Sequence, residues 1–117
     1  AHAYEATLGY SKKLNHGEAV ILGIKTAVQF SLSNKILNFK EYSSIENHLE
    51  KLSLPRNINK FFSIKDLNRI LLFMKKDKKN NTNKINLVLL RKIGSPIHRL
   101  QFDEKKITLF LKKELIK

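Results

Sequence analysis

The feature that most constrains the fold is a long apolar segment that begins after His16 and continues to Leu37. Its apolar residues recur at steps of three and four, the period of an α-helix. Between Ala19 and Ile24 the segment is apolar almost all round, which is typical of a helix buried on several sides. The sequence therefore predicts a central helix over 17–37. Gly23 and Ala27 share one face, where a neighbouring helix could approach closely.

Weaker signals predict the other elements. Residues 2–8 have the pattern of the last turns of a helix, and Gly9 is a residue type favoured just past a helix end. Amphipathic stripes predict three further helices, around Leu49, Ile70 and Leu111. Residues 85–93 and 97–102 favour β-strands, with Gly94 at the turn between them. We therefore expect a mainly α, multi-helix domain with one small β-hairpin.

Polar residues predict where several of these elements begin and end. Ser63 and Asp66 have the spacing of a capping box, with aspartate in place of glutamate. Asp103 is expected to cap the last helix, and Pro55 to terminate the helix around Leu49. Residues 77–83, which are rich in lysine and asparagine, are expected to form a polar turn.

Length and composition indicate one domain. The chain has 117 residues, of which 42% are hydrophobic, enough to bury a core. It has no cysteine, which excludes disulfides and thiolate metal ligands. No apolar run approaches the roughly 20 residues needed to span a membrane, and no signal peptide is evident. We expect a cytoplasmic protein with no membrane partner. Because the chain starts without methionine inside a helical pattern, we expect a fragment of a longer protein.

The net charge of +13 raises the question of nucleic-acid binding. The lysines are spread over the whole chain, and no basic run is interleaved with aromatic residues that could stack on bases. The abundance of lysine, asparagine and isoleucine matches the bias of an AT-rich genome. We therefore expect no nucleic-acid partner. A site for a phosphorylated or carboxylated small molecule would use the same charge.

Two histidines, each followed by a glutamate, are the candidate chemical residues. His2 precedes Glu5, and His16 precedes Glu18. A metal site shared by the two histidines would require the two segments to fold back on each other. Glu5 lies one turn after His2 and could orient its ring, whereas a carboxylate at position 18 suits the first turn of a helix. On spacing alone, both a metal site and two ordinary helix-end histidines remain open.

Several short motifs, taken in order, resemble the 3-dehydroquinate synthase family. They are His2-Ala-Tyr-Glu-Ala, Gly9-Tyr10, Leu14-Asn-His16-Gly-Glu-Ala-Val, Gly23, Leu54-Pro55, Asp77-Lys78-Lys79 and the strand ending at Ile93-Gly94. The resemblance runs through nearly all of residues 1–117 but covers only the C-terminal part of such an enzyme. It implies a C-terminal helical domain that binds metal and substrate and is incomplete at its N-terminus. The NAD-binding domain would be absent.

The resemblance also implies an activity. The family converts the sugar phosphate 3-deoxy-D-arabino-heptulosonate 7-phosphate to 3-dehydroquinate and phosphate in the shikimate pathway, using NAD and a divalent metal (zinc or cobalt). His16 matches the family's metal-binding histidine, although Asn15 before it is a small departure. His2 matches a catalytic histidine that contacts substrate and is implicated in proton transfer. Either Lys78 or Lys79 matches a lysine that binds the anionic substrate.

Further ligands of the family lie outside this sequence. One metal-binding histidine would precede His2 by four positions, and a carboxylate ligand also belongs upstream. The resemblance therefore implies that this chain alone is inactive and binds neither NAD nor zinc well, and that the full-length enzyme is a homodimer. The alternatives are a related sugar-phosphate cyclase of the inosose or valiolone synthase type, a non-catalytic helical binding domain, and a basic nucleic-acid module.

Overall fold

The computed structural model of the protein describes residues 1–54, 57–76 and 84–117. Within these ranges the elements are α1 (His2–Thr7), α2 (His16–Ser33), α3 (Phe39–Lys51), α4 (Leu67–Lys76), β1 (Lys84–Lys92), β2 (Ser95–Asp103) and α5 (Glu104–Leu115). Two single turns of 3-10 helix, Ile58–Lys60 and Ile64–Asp66, lie between α3 and α4. The expected mainly α architecture with one small hairpin is confirmed.

The core joins α2 to α1, α4, α5 and the hairpin. Leu22 of α2, Ile70 of α4, Ile85 of β1 and Leu111 of α5 are all fully buried. The ring of Phe30 on α2 meets the rings of Phe102 and Phe110 edge to face, with centroids 4.9 and 5.1 Å apart, an arrangement that aromatic quadrupoles favour. The C-terminal part of α2 therefore packs against the hairpin and α5, whereas α4 packs mainly against α1.

The central helix differs from the prediction in its end and in its burial. It ends at Ser33 rather than near Leu37, because the Asn34 side chain donates to the carbonyl of Phe30 and Lys35 adopts a left-handed φ of 60°. Leu37 lies beyond this turn but is still buried. Ile24 is 47% exposed, so α2 keeps a solvent face that an all-round apolar sequence does not predict.

A buried serine links α2 to the hairpin. The Ser31 hydroxyl donates to the carbonyl of Ala27 on α2 and accepts a hydrogen bond of 3.1 Å from the backbone N–H of Leu90 on β1. Ser31 has no exposed surface, and a buried hydroxyl is costly unless it is hydrogen-bonded. The two bonds satisfy this group, and they set the position of β1 along α2.

Several of the predicted helix and strand ends are confirmed. Gly9 follows α1 with a φ of 64°, and Ser63 and Asp66 form a reciprocal capping box. Strands β1 and β2 pair antiparallel, with Gly94 at a φ of 83° in the turn. Asp103 occupies the N-cap position of α5, but its side chain makes no capping bond, so that expectation is wrong. Pro55 and the predicted turn at 77–83 lie outside the described residues.

No helix in the described parts of the chain combines the length and the apolar character required to cross a membrane.

Candidate functional site

The first turn of α2 holds His16 in a defined position. The Asn15 side chain accepts a hydrogen bond of 2.8 Å from the backbone N–H of Glu18, and the Glu18 carboxylate accepts one of 3.0 Å from the N–H of Asn15. This capping box satisfies two backbone donors that a helix start otherwise leaves open. Glu18 therefore serves the helix start, as expected from its position, and His16 begins α2 immediately after the cap.

The side chain of His16 is anchored at one ring nitrogen and open at the other edge. Its Nδ1 lies 3.0 Å from Oε1 of Glu5 on α1. The Glu5 side chain is only 10% exposed, whereas the His16 side chain is 70% exposed. Since Nδ1 is directed to the carboxylate, the Nε2 edge of the ring faces solvent. A neutral imidazole held in this way presents a lone pair outward, which is what a metal ligand requires.

Glu5 therefore has a different partner from the one its spacing indicates. The sequence predicts that Glu5 orients His2, one turn earlier on the same helix, but its carboxylate pairs with His16 across eleven residues of chain. This expectation was wrong because the chain turns sharply at Gly9, after α1, and α1 lies against α2 between His16 and Thr26. A Cβ added at Gly23 would come within 3.1 Å of the Ala1 backbone nitrogen. The predicted close approach at Gly23 is thus made by the start of α1.

Tyr4 fixes α1 on α2 beside this pair. Its hydroxyl lies 2.6 Å from Oγ1 of Thr26. Thr26 in turn donates to the carbonyl of Leu22, so the Tyr4 hydroxyl is the donor in the first bond. The ring of Tyr4 also packs against Phe62, with centroids 5.3 Å apart. The pKa of Tyr4 is raised to about 12, chiefly by burial; the Thr26 hydroxyl, which can turn to donate to the phenolate, lowers it in part, and the charge of Glu114 raises it.

This buried phenol predicts a loss of stability in alkali. The unfolded chain releases the Tyr4 proton near pH 10, whereas the folded chain retains it up to about pH 12. The contribution of Tyr4 to the free energy of unfolding is therefore fully present below pH 10. It falls by about 1.4 kcal/mol per pH unit as the pH rises from 10 towards 12. Urea unfolding of the wild-type chain and Tyr4→Phe at several pH values measures it, and their difference in stability should shrink over this window. A difference independent of pH would contradict the expectation.

His2 lies at the first residue of α1 and is exposed. It borders a shallow groove whose other walls are Met74 on α4 and Ile85, Asn86 and Leu87 on β1. These two elements flank residues 77–83 in the sequence, which contain Lys78 and Lys79. The two lysines themselves lie outside the described residues, so only the neighbouring ends of α4 and β1 can be placed beside His2.

The residues present fit one ligand of a metal site rather than a complete set. Among the residues that the structure describes, no cluster of three histidine, cysteine, aspartate or glutamate side chains could hold an ion. His16 has the donor chemistry and the open ring edge, whereas the carboxylate of Glu18 is used in its capping box. A metal bound at His16 would need its remaining ligands from outside the described chain.

One buried charge was missed by sequence reasoning. The side chain of Lys25, in the middle of α2, is only 3% exposed and forms an ion pair with Glu46 of α3. Its ammonium donates to the Tyr42 hydroxyl at 3.2 Å and lies 5.1 Å from the centre of that ring. The sequence feature that could have revealed this burial is the isolated position of Lys25 within a largely apolar helix. These contacts join α2 to α3 and indicate a structural role.

The fold and the anchored histidine define a helical domain with an exposed imidazole at the junction of its first two helices. Comparison with known proteins identifies its family. Residues 1–80 match the family described as 3-dehydroquinate synthase C-terminal, and the chain belongs to that family.

Whole-chain similarity extends the match beyond residue 80. The chain is 72% identical over 117 residues to a 3-dehydroquinate synthase of Pelagibacter ubique, covering 100% of this chain and 32% of that protein. It is 33% identical over 119 residues to one of Bradyrhizobium (97% and 31% covered) and 35% identical over 111 residues to one of Coxiella burnetii (95% and 30% covered). The chain thus spans about a third of the length of the curated relatives it matches. No solved structure matches it significantly.

Proposed function

We propose that this chain is the C-terminal metal- and substrate-binding part of a 3-dehydroquinate synthase, a lyase that forms 3-dehydroquinate and phosphate from 3-deoxy-D-arabino-heptulosonate 7-phosphate. The observation that carries the proposal is the His16 ring, anchored through Nδ1 to Glu5 and open at Nε2. The names of the relatives support the same assignment. Residues 1–117 would act with an NAD-binding domain, and the whole enzyme would be a cytoplasmic homodimer.

In this proposal the chain's own residues have separate tasks. His16 would supply one ligand to a zinc or cobalt ion, which when bound polarises a substrate hydroxyl or carbonyl. His2, at the start of α1, would contact the substrate and move a proton during phosphate loss, since imidazole exchanges protons near neutral pH. Lys78 or Lys79 would bind an anionic group of the substrate. NAD would be bound by another part of the protein, and the chain alone would be inactive.

A chimeric enzyme tests the proposal. The upstream two thirds of the Pelagibacter ubique relative, which is 72% identical to this chain where the two overlap, would be joined to residues 1–117. We expect the chimera, supplied with NAD and zinc, to release phosphate from 3-deoxy-D-arabino-heptulosonate 7-phosphate. The isolated chain is the control and should release none. A folded chimera that binds zinc but releases no phosphate would overturn the proposed reaction. Release by the isolated chain would overturn its proposed dependence on the other domain.

A further inference from the structure

Glu5 is a buried carboxylate whose placement has a chemical consequence at the site. The residue is 8% exposed, on the face of α1 that packs into the protein. Burying a carboxylate is costly unless it is hydrogen-bonded, and here the Nδ1 of His16, 3.0 Å away, supplies the bond. If Glu5 served packing alone, an apolar residue at this position would avoid the free-energy cost of burying a carboxylate.

We propose that Glu5 is a positioning residue for His16. An ionised carboxylate can only accept a hydrogen bond, so Glu5 holds the proton of the neutral ring on Nδ1. The lone pair is then on Nε2, at the open edge of the ring. The bond also fixes the direction in which Nε2 points. This inference rests on the proposed function, because it assigns Glu5 a task only if His16 is a ligand, and it implies coordination through Nε2.

The rest of the site supports this role. Tyr4, next to Glu5 in the sequence, joins α1 to α2 through its hydrogen bond to Thr26. The backbone of Glu5 is therefore held at a fixed position along α2. The capping box of Asn15 and Glu18 holds the backbone of His16 on the other side of the pair. Both partners of the Glu5–His16 bond therefore sit on restrained helix ends, as precise orientation of a ligand requires.

Two substitutions at Glu5 separate orientation from packing. Glu5→Gln keeps a carbonyl oxygen that can accept from Nδ1–H, whereas Glu5→Leu fills similar space with no acceptor. Thr7→Val is the matched control, because Thr7 is also buried on α1 but its hydroxyl donates to the Ala3 carbonyl and not to the site. All three variants alter the interior face of α1, and only those at Glu5 alter the hydrogen bond to His16.

The first measurement needs no metal. Nitrogen NMR of the His16 ring in the 117-residue chain, at a pH where the ring is neutral, should show the proton on Nδ1 in the wild type, Glu5→Gln and Thr7→Val. Glu5→Leu should shift the ring towards the other tautomer. The proton on Nε2 in the wild type, or the same tautomer in the wild type and Glu5→Leu, would overturn the inference.

The second measurement is zinc affinity in the chimeric enzyme. Loss of an outer-shell partner typically weakens metal binding about 10- to 100-fold, so we expect a loss of this size in Glu5→Leu and a smaller one in Glu5→Gln. Thr7→Val should bind zinc like the wild type. Unchanged affinity in both Glu5 variants, while His16→Ala loses zinc, would overturn the inference alone. Unchanged zinc binding in His16→Ala would instead overturn the proposed function.

Discussion

His16→Ala in the chimeric enzyme is expected to abolish zinc retention and phosphate release together. The substitution removes an exposed imidazole whose Nδ1 is anchored to Glu5. A metal acting as a Lewis acid contributes several kcal/mol to transition-state stabilisation, and losing about 4 kcal/mol lowers turnover roughly a thousandfold. The measurements are the zinc content of the dialysed protein and the rate of phosphate release.

Two control variants are needed to interpret the His16→Ala result. His48→Ala removes an exposed histidine of α3 to which we assign no role, and it should leave zinc content and turnover unchanged. Because His16→Ala also deprives the buried Glu5 of its partner, the double variant His16→Ala, Glu5→Gln removes that charge and separates loss of the ligand from loss of the fold. A folded His16→Ala enzyme that retains zinc and full turnover would refute the assignment of this residue.

The second large effect concerns the stability of the fold. Glu46→Gln is expected to lower the free energy of unfolding by about 3 kcal/mol, because it takes a carboxylate away from an ammonium that is almost wholly buried. Lys25→Met should cost less. It removes the buried ammonium and keeps an unbranched apolar side chain. The Glu46 side chain is 24% exposed, so its Oε2, which is buried beside Lys25, can turn towards solvent once the lysine is removed. Denaturant unfolding of each variant at neutral pH measures both changes.

An ion pair whose lysine is much better hydrated provides the comparison for this test. Lys75 and Glu104 are 2.6 Å apart, but about a third of each side chain is exposed. Exposed pairs contribute about 0–1 kcal/mol, so Glu104→Gln should have a small effect. Two results would show that burial of Lys25 does not control the loss of stability. One is a loss in free energy of unfolding that is no larger for Glu46→Gln than for Glu104→Gln. The other is a larger loss for Lys25→Met than for Glu46→Gln.

Much of the fold could be predicted from local patterns. The helical period of 17–37 located α2, the stripe around Ile70 located α4, and the residues on either side of Gly94 located the hairpin. Each of these signals arises within a short segment, since the spacing of apolar residues reflects which face of one element is buried. The position of His16 at the start of the long helix was predictable for the same reason.

The amino-acid sequence by itself thus determined the kinds of elements, several of their ends, and the motifs that assign the chain to its family. Only the tertiary structure decided that Glu5 pairs with His16 rather than with His2, and that Lys25 is buried against Glu46. Neither partner can be read from spacing, because each contact joins two helices and depends on how they pack. A local pattern records which side of a helix faces inward, and it carries no information about which side chain of another helix will meet it there.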